Sequence, residues 1–185
     1  IGAKSAGQIL KMRAAGLVVG RTLQALREAA RPGVTTAELD QLARERIAEA
    51  GAVSSFLGYG AGFGLPPFPA VTCISVNSEI VHGIPGDRVL ADGDLVSVDF
   101  GVSLDSWHGD SAITFVVGAG SAPAETLSEV TRQAMWAGIA AAFSRHQLWV
   151  DPIVGTRVHV DFRNGFTFYV EGDVGGFTAG STIAG

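Results

Sequence analysis

The sequence has a single cysteine, Cys73, among its 185 residues. One cysteine excludes an internal disulfide framework and is typical of a reducing compartment, which indicates a cytoplasmic protein. Basic residues are not in excess, since the formal net charge is −5, and this argues against nucleic acid or an anionic membrane as partner. The sequence contains no run of about twenty apolar residues, so it does not predict a membrane-spanning helix. The chain starts at Ile1, with neither a leader-like segment nor an initiator methionine, which is typical of a fragment.

What is present indicates a globular protein, with 47% apolar and 17% charged residues. The length predicts one domain, or one domain and part of a second. Apolar residues recur at three- and four-residue steps over residues 7–30, which predicts a first helix. Thr35 followed by Glu38 is a capping-box pattern that opens a second helix, with Gly51 at its C-terminal end. Its inner face would carry Leu39, Leu42, Ala43 and Ile47.

Strands are predicted after a Gly- and Pro-rich loop at residues 54–70. They cover residues 71–81, 95–102 and 110–118, and the middle one alternates apolar with polar residues. A third helix is predicted over residues 122–142, with Leu127, Val130, Ala134 and Ile139 on its inner face. This order predicts an α+β domain whose helices pack on one face of an antiparallel sheet.

The composition changes sharply at about residue 143, which divides the chain into segments 1–142 and 143–185. The second segment is rich in strand and turn patterns, with a hairpin predicted at the Asn-Gly pair in "RNG", residues 163–165. It bears a weak resemblance to strands of small bacterial outer-membrane β-barrels, although two strands cannot close a barrel. It is otherwise unrelated to the first segment.

Asp99 and Asp110 are candidate metal ligands. If the hairpin that joins their strands is centred on Leu104 and Asp105, the two aspartates face each other directly, with Cβ atoms about 4.5–5.5 Å apart. A divalent cation would relieve the repulsion between carboxylates at that distance. A bulge at Gly109 would shift this register by one residue. The alternative is that both are solvated residues beside a turn, where aspartate is common.

His82 and Cys73 are the other chemically reactive side chains of this region. His82 ends a predicted strand before Gly-Ile-Pro and could donate a proton or a hydrogen bond to a polarised carbonyl, or could simply be a satisfied polar residue. Cys73 lies in an apolar strand, which favours a small buried side chain over a nucleophile.

Several motifs together carry a family resemblance. The segments "FLGYG", "FPAVTCISVNSEIVHGIP" and "LADGDLVSVDFGVSLDSWHGDSAITFVVG" resemble bacterial type I methionine aminopeptidases, in the same order and at family spacing. The similarity runs from about residue 5 to about residue 142. It implies the N-terminal half of the α+β pita-bread fold, followed by an unrelated β-hairpin tail.

The resemblance also implies roles for individual residues. Asp99 and Asp110 would be two metal ligands, and His82 would contact the scissile peptide group of the substrate. Phe68 and Cys73 would line the pocket for the methionine side chain, with Tyr59 as a further wall next to a lengthened loop. Such enzymes remove the N-terminal methionine of peptides and nascent chains, using a hydroxide shared by two divalent ions (Co²⁺, Mn²⁺, Fe²⁺ or Zn²⁺).

The resemblance implies five ligands, of which this sequence carries two. No segment after Phe143 matches the family motifs that supply a histidine and two glutamates, and His146, His159 and Glu171 stand in other contexts. The expected protein is therefore a partial methionine aminopeptidase that is inactive alone. The alternatives are a non-catalytic peptide- or protein-binding relative, or a chimeric or frameshifted gene product without function.

Overall fold

The computed structural model describes residues 4–144, 154–161 and 167–174. The chain divides into two compact units, Ile1–Trp136 and Ala137–Gly185. The first unit contains two long helices, a four-stranded antiparallel sheet and most of a third helix. The predicted α+β class, with helices on one face of an antiparallel sheet, is confirmed.

Helices α1 (Ala6–Ala29) and α2 (Thr36–Glu49) begin at side-chain caps. The capping box predicted for α2 is confirmed: the Glu38 amide donates to the Thr35 hydroxyl over 3.1 Å, and the Thr35 amide donates to the Glu38 carboxylate over 2.7 Å. These hydrogen bonds from Thr35 lower the pKa of Glu38. Gly51 follows α2 with a φ of 62°, as predicted for a C-terminal glycine.

The helices bury one apolar stripe each against the sheet. In α1 this stripe contains Ala15, Val19, Leu23 and Leu26, whereas Ile9, Leu10 and Leu17 on the same helix are exposed. In α2, Leu39 and Ala43 are fully buried and Leu42 and Ile47 pack at the edge of the core, as predicted. The sheet contributes Val96, Val98, Phe100 and Val102 to the same core.

The sheet is organised around β3 (Leu95–Leu104). Strand β4 (Trp107–Val116) pairs with β3 along its whole length. Strands β2 (Thr72–Val76) and β1 (Val53–Ser54) pair with successive parts of β3, β2 with Val96–Phe100 and β1 with Val102–Ser103. The predicted alternation of β3 is confirmed, because Val96, Val98, Phe100 and Val102 are buried, while Ser97 and Asp99 turn to the opposite, partly open face.

Strand β2 is shorter than the predicted strand at residues 71–81 and ends at Val76. Asn77 adopts a φ of 57°, a left-handed conformation that an extended strand cannot contain. Its side chain donates to the Asp94 carboxylate and accepts from the Leu95 amide. The apolar residues that follow, Ile80 and Val81, lie in an exposed turn.

A buried carboxylate connects α2 to the start of β2. One oxygen of Asp40 accepts from the Val71 amide, the Thr72 amide and the Thr72 hydroxyl at 2.8–2.9 Å. The other oxygen accepts from the Arg44 Nε at 2.9 Å. This network fixes the start of β2, the strand that carries Cys73.

Helix α3 (Ala122–Ser144) confirms the third predicted helix but not its predicted inner face. Leu127 and Val130 are 61% and 57% exposed, and Ala134 and Ile139 are exposed as well. Helical periodicity marks an apolar face but does not supply the surface that covers it. Within the described part of the chain, no such surface covers this face.

The second unit contains a hairpin of β5 (Val154–Asp161) and β6 (Thr167–Val174), which pair antiparallel with Val158 opposite Val170. The Asn-Gly turn predicted for this segment lies outside the described residues, so the predicted hairpin tail stays a prediction. The segment boundary between residues 142 and 143 stays a prediction. None of the helices in the described ranges is long and apolar enough to cross a membrane.

Candidate metal and peptide site

A cleft of about 490 Å³ opens on the first unit, on the sheet face opposite the helix-packed core. Every site residue predicted from the sequence lines this cleft: Tyr59, Phe68, Cys73, His82, Asp99 and Asp110. They come from the loop after β1, from β2, from the turn after it, and from β3 and β4. The fold therefore brings together residues that are up to 51 positions apart in the sequence.

Asp99 and Asp110 lie on one face of the β3–β4 hairpin, but they are not directly opposite each other. Asp99 pairs with Ala112, and Asp110 pairs with Gly101, so the predicted register is wrong by two residues. The reason is the turn, which consists of Asp105 and Ser106 with φ values of 49° and 66°. Two residues with positive φ form the tight hairpin connection that matches strand twist. The aspartates are diagonal neighbours, whose side chains remain within reach of each other.

Two glycines allow this arrangement. A Cβ on Gly101 would lie 3.2 Å from an Asp110 carboxylate oxygen and 2.9 Å from the Phe56 ring, so glycine here leaves room for Asp110 and Phe56. Gly109 does not form the bulge considered above, because the β3–β4 ladder is continuous. A Cβ on Gly109 would instead lie 2.8 Å from the backbone of Ala15, and its absence lets α1 approach β4 closely.

The electrostatics of the cleft favour a cation. Burial and the neighbouring Asp110 carboxylate raise the pKa of Asp99, and a hydrogen bond from the Phe100 backbone and the charge of His82 only partly offset this rise. Burial, followed by the charges of Asp99 and Asp110, raises the pKa of the Cys73 thiol to about 11. Cys73 is therefore a neutral thiol at pH 7, buried as predicted, and carries no nucleophilic thiolate.

His82 is held at the cleft by the glycine that follows it. Gly83 donates its amide to the Ser75 hydroxyl over 3.2 Å and accepts from the Ile74 amide over 2.8 Å. A Cβ on Gly83 would overlap the Ile74 carbonyl oxygen, so only glycine fits against β2 at this point. His82 itself has a φ of 58° and an exposed side chain. The sequence predicted that His82 ends a strand. That prediction is wrong, because β2 ends at Val76 and His82 follows an exposed turn.

Two residues of the cleft wall, Ser55 and Phe56, were not predicted. The Ser55 amide donates to the Gly101 carbonyl over 3.0 Å, and its hydroxyl lies 3.2 Å from His108 Nδ1. These bonds fix Phe56 beside Gly101. Neither side chain is charged, so neither was singled out as a candidate for metal binding or catalysis. Phe56 begins the motif "FLGYG" and could have been identified from that motif.

The donor set fits part of a metal site. Asp99 and Asp110 offer carboxylate oxygens on one face, the ligands that hard and borderline divalent cations accept. Among the described residues, however, no group of three or more His, Cys, Asp or Glu side chains could hold a metal ion. The described residues thus offer two candidate ligands.

Comparison with known proteins places the chain in a family. Residues 10–171 match the model of metallopeptidase family M24. The chain is 52% identical to methionine aminopeptidase 1 of Mycobacterium tuberculosis, over 75% of its own length and 50% of that protein. It is 46% identical to the Clostridium perfringens methionine aminopeptidase, over 78% and 56% of the two chains. It thus spans about half the length of these relatives.

A solved structure supports the same assignment. The methionine aminopeptidase of Rickettsia prowazekii superposes with a TM-score of 0.68 at 34% identity, over 74% of this chain and 52% of that one. The expected pita-bread fold is therefore confirmed for the part of the chain that superposes. By its sequence match and its fold, this chain belongs to metallopeptidase family M24, a family of metal-dependent hydrolases.

Proposed function

We propose that this chain carries the aspartate and substrate-pocket part of a methionine aminopeptidase site, acting in the cytoplasm on the N-terminal methionine of peptides and nascent proteins. One observation carries the proposal: all six residues implied by the family resemblance line a single cleft of about 490 Å³. The names of the relatives agree with this activity. Because the chain spans about half of their length, the proposal concerns the part of the site that its described residues form.

Asp99 and Asp110 would hold the metal. They share one face of the hairpin, and Gly101 leaves space beside Asp110. Burial and the Asp110 carboxylate raise the pKa of Asp99, and a bound cation would counteract both effects. Carboxylates accept Mn²⁺, Fe²⁺, Co²⁺ and Zn²⁺, and two such ions are implied by the family resemblance. When bound, a divalent ion polarises a peptide carbonyl and supplies a nucleophile at neutral pH by acidifying water.

The remaining residues would bind and orient the peptide. His82, exposed at the cleft, would donate a hydrogen bond to the scissile peptide group. Phe68, Tyr59 and the neutral thiol of Cys73 would enclose the methionine side chain, because thioethers make favourable contacts with aromatic rings and polarisable sulfur. Phe56 would complete this apolar wall.

A second function is favoured by one specific observation: within the described residues, no group of three or more His, Cys, Asp or Glu side chains could hold a metal ion. A chain with the pocket and without a complete metal site would bind the N-terminus of a peptide and leave the peptide bond intact. This second candidate is a non-catalytic peptide-binding protein.

One experiment separates the two functions. The purified chain is loaded with Mn²⁺ or Co²⁺, and bound metal, binding of a Met-Ala-Ser peptide and release of methionine are measured. The N-acetylated peptide is the control, since it lacks the free amine. Chelator-sensitive release that is lost in Asp99→Asn supports hydrolysis by this chain. Binding of the free over the acetylated peptide without release supports the binding function. Absence of both metal and peptide binding contradicts both candidates and favours a gene product without function.

A further inference from the structure

The lengthened loop beside the cleft has its own ordered structure. We call residues 60–67 the rim loop, because Tyr59 before it and Phe68 after it both line the cleft. Two backbone hydrogen bonds of 2.8 Å close its base, from the Gly58 amide to the Phe68 carbonyl and from the Phe68 amide to the Tyr59 carbonyl. The rim loop is therefore anchored directly to the cleft wall.

Internal bonds give the rim loop a fixed shape. The Gly60 carbonyl accepts from the Phe63 amide over 2.9 Å and from the Leu65 amide over 3.2 Å, around a short 3₁₀ turn at Ala61–Phe63. Gly60 has a φ of 98°, and a Cβ there would lie 3.2 Å from the Pro66 carbonyl oxygen. Pro66 and Pro67 restrict the return segment, because proline fixes φ. Such a loop loses little further entropy when it binds a ligand.

The surface of the rim loop is apolar and uncharged. Phe63 and Leu65 are 76% and 62% exposed, although neither is needed for the core. The Phe63 ring centre lies 6.1 Å from that of Tyr59, so the apolar surface continues from the cleft onto the loop. No Asp, Glu, Lys, Arg or His occurs between residues 50 and 78. A contiguous exposed apolar surface next to a binding cleft indicates a further contact with the ligand.

We infer that the rim loop contacts an apolar side chain at the third residue of a peptide whose first residue occupies the cleft. This inference rests on the proposed function. In an extended peptide, alternate side chains point to the same side and lie about 6.6 Å apart, two residues at about 3.3 Å each. That spacing matches the 6.1 Å between the Tyr59 and Phe63 rings. The first side chain therefore meets Tyr59, and the third meets Phe63.

The test measures binding and needs no turnover. Peptides Met-Ala-Xaa-Gly-Ser with a C-terminal fluorophore, in which Xaa is Phe, Gly, Asp or Lys, are titrated with the full chain by fluorescence anisotropy, with and without Mn²⁺. The Phe peptide should bind about fivefold more tightly than the Gly peptide, the ratio that corresponds to burying about 40 Å² of apolar surface. The Asp and Lys peptides should bind no better than the Gly peptide.

Two variants assign the preference to the rim loop. Phe63→Ala should bring the ratio between the Phe and Gly peptides close to one, and Phe63→Asp should make the Lys peptide bind better than the Asp peptide. Leu10→Ala, which truncates a 65% exposed apolar side chain on α1, is the matched control and should retain the fivefold preference.

The outcomes distinguish this inference from the proposed function. An acetylated peptide series shows whether binding depends on the free N-terminus. Binding that needs the free N-terminus but ignores residue three, or a preference that survives in both Phe63 variants, overturns the inference and leaves the proposed function standing. A residue-three preference without dependence on the N-terminus contradicts the proposed function and the register inferred from it. No peptide binding overturns both.

Discussion

Two aspartates of the first unit, Asp40 and Asp99, differ in the hydrogen bonds and charges that surround their carboxylates. Asp40, at the junction of α2 and β2, is 5% exposed and accepts hydrogen bonds from three donors at one oxygen and from Arg44 at the other. Asp99, in the cleft, has a second carboxylate as neighbour, and its pKa is raised. Within the described residues, Asp40 is thus satisfied by the fold itself, whereas the negative charge of Asp99 is only partly balanced by its neighbours. The first arrangement is typical of a structural carboxylate and the second of a binding site.

The largest effect is expected at Asp40. Asp40→Ala leaves two buried amides, a hydroxyl and the Arg44 guanidinium without their acceptor, which should lower the free energy of unfolding by about 2–4 kcal/mol. Urea unfolding measures this loss. Glu45→Ala, on the exposed side of the same helix, is the control and should change stability by less than about 0.5 kcal/mol. Equal effects of the two changes would show that the Asp40 network contributes nothing.

Gly101→Ala should have an intermediate effect, on both the stability of the fold and the cation binding of the cleft. The new Cβ crowds the Phe56 ring and the Asp110 carboxylate, at a cost of about 1–3 kcal/mol for overpacking. It should also weaken Mn²⁺ binding, because Asp110 must move. Gly20→Ala is the matched control: nothing lies within 4 Å of a Cβ there, and the helix should gain up to about 1 kcal/mol. Unchanged stability and Mn²⁺ binding in Gly101→Ala would contradict the described packing.

The smallest effect is expected for Asp99→Asn in the metal-free chain. A raised pKa in the folded state means that protonated Asp99 favours folding, and this contribution is lost as the pH rises through the folded pKa. Asp99→Asn should therefore unfold at a higher temperature than the parent chain at pH 7.5 in EDTA, with a difference that shrinks at pH 3.5. Because the carboxyl is partly solvated, the gain is at most about 1 kcal/mol. A variant that is less stable at pH 7.5 would contradict the electrostatic description.

The contrast also explains what the sequence could predict. Local patterns sufficed for the helices, the α2 capping box and the alternation of β3, since each depends on neighbouring residues. The family motifs identified six of the eight residues that line the cleft. The diagonal placement of Asp99 and Asp110 was not predicted, because register depends on turn conformation, and positive φ at Asp105 and Ser106 is not evident from composition.

Contacts between residues far apart in the sequence also could not be predicted. The Asp40 network joins residues 31 and 32 positions apart, and no pattern in the sequence connects them. Strand β2 ended early because Asn77 finds partners at Asp94 and Leu95, which lie far along the chain. The apolar stripe of α3 predicted a buried face, but burial requires a covering surface, and periodicity in one helix contains no information about that surface.

The central proposal, that Asp99 and Asp110 act together as metal ligands, is tested most directly by titration calorimetry with Mn²⁺. The parent chain, Asp99→Asn, Asp110→Asn and the double variant are compared, with Asp105→Asn in the exposed hairpin turn as control. Each single change should weaken Mn²⁺ binding at least about tenfold, because loss of a residue that only supports a metal ligand already weakens metal binding by about that factor. The double change should weaken Mn²⁺ binding little more than either single change. Binding that survives both single changes, or that is lost equally in Asp105→Asn, would show that the metal does not lie between the two aspartates.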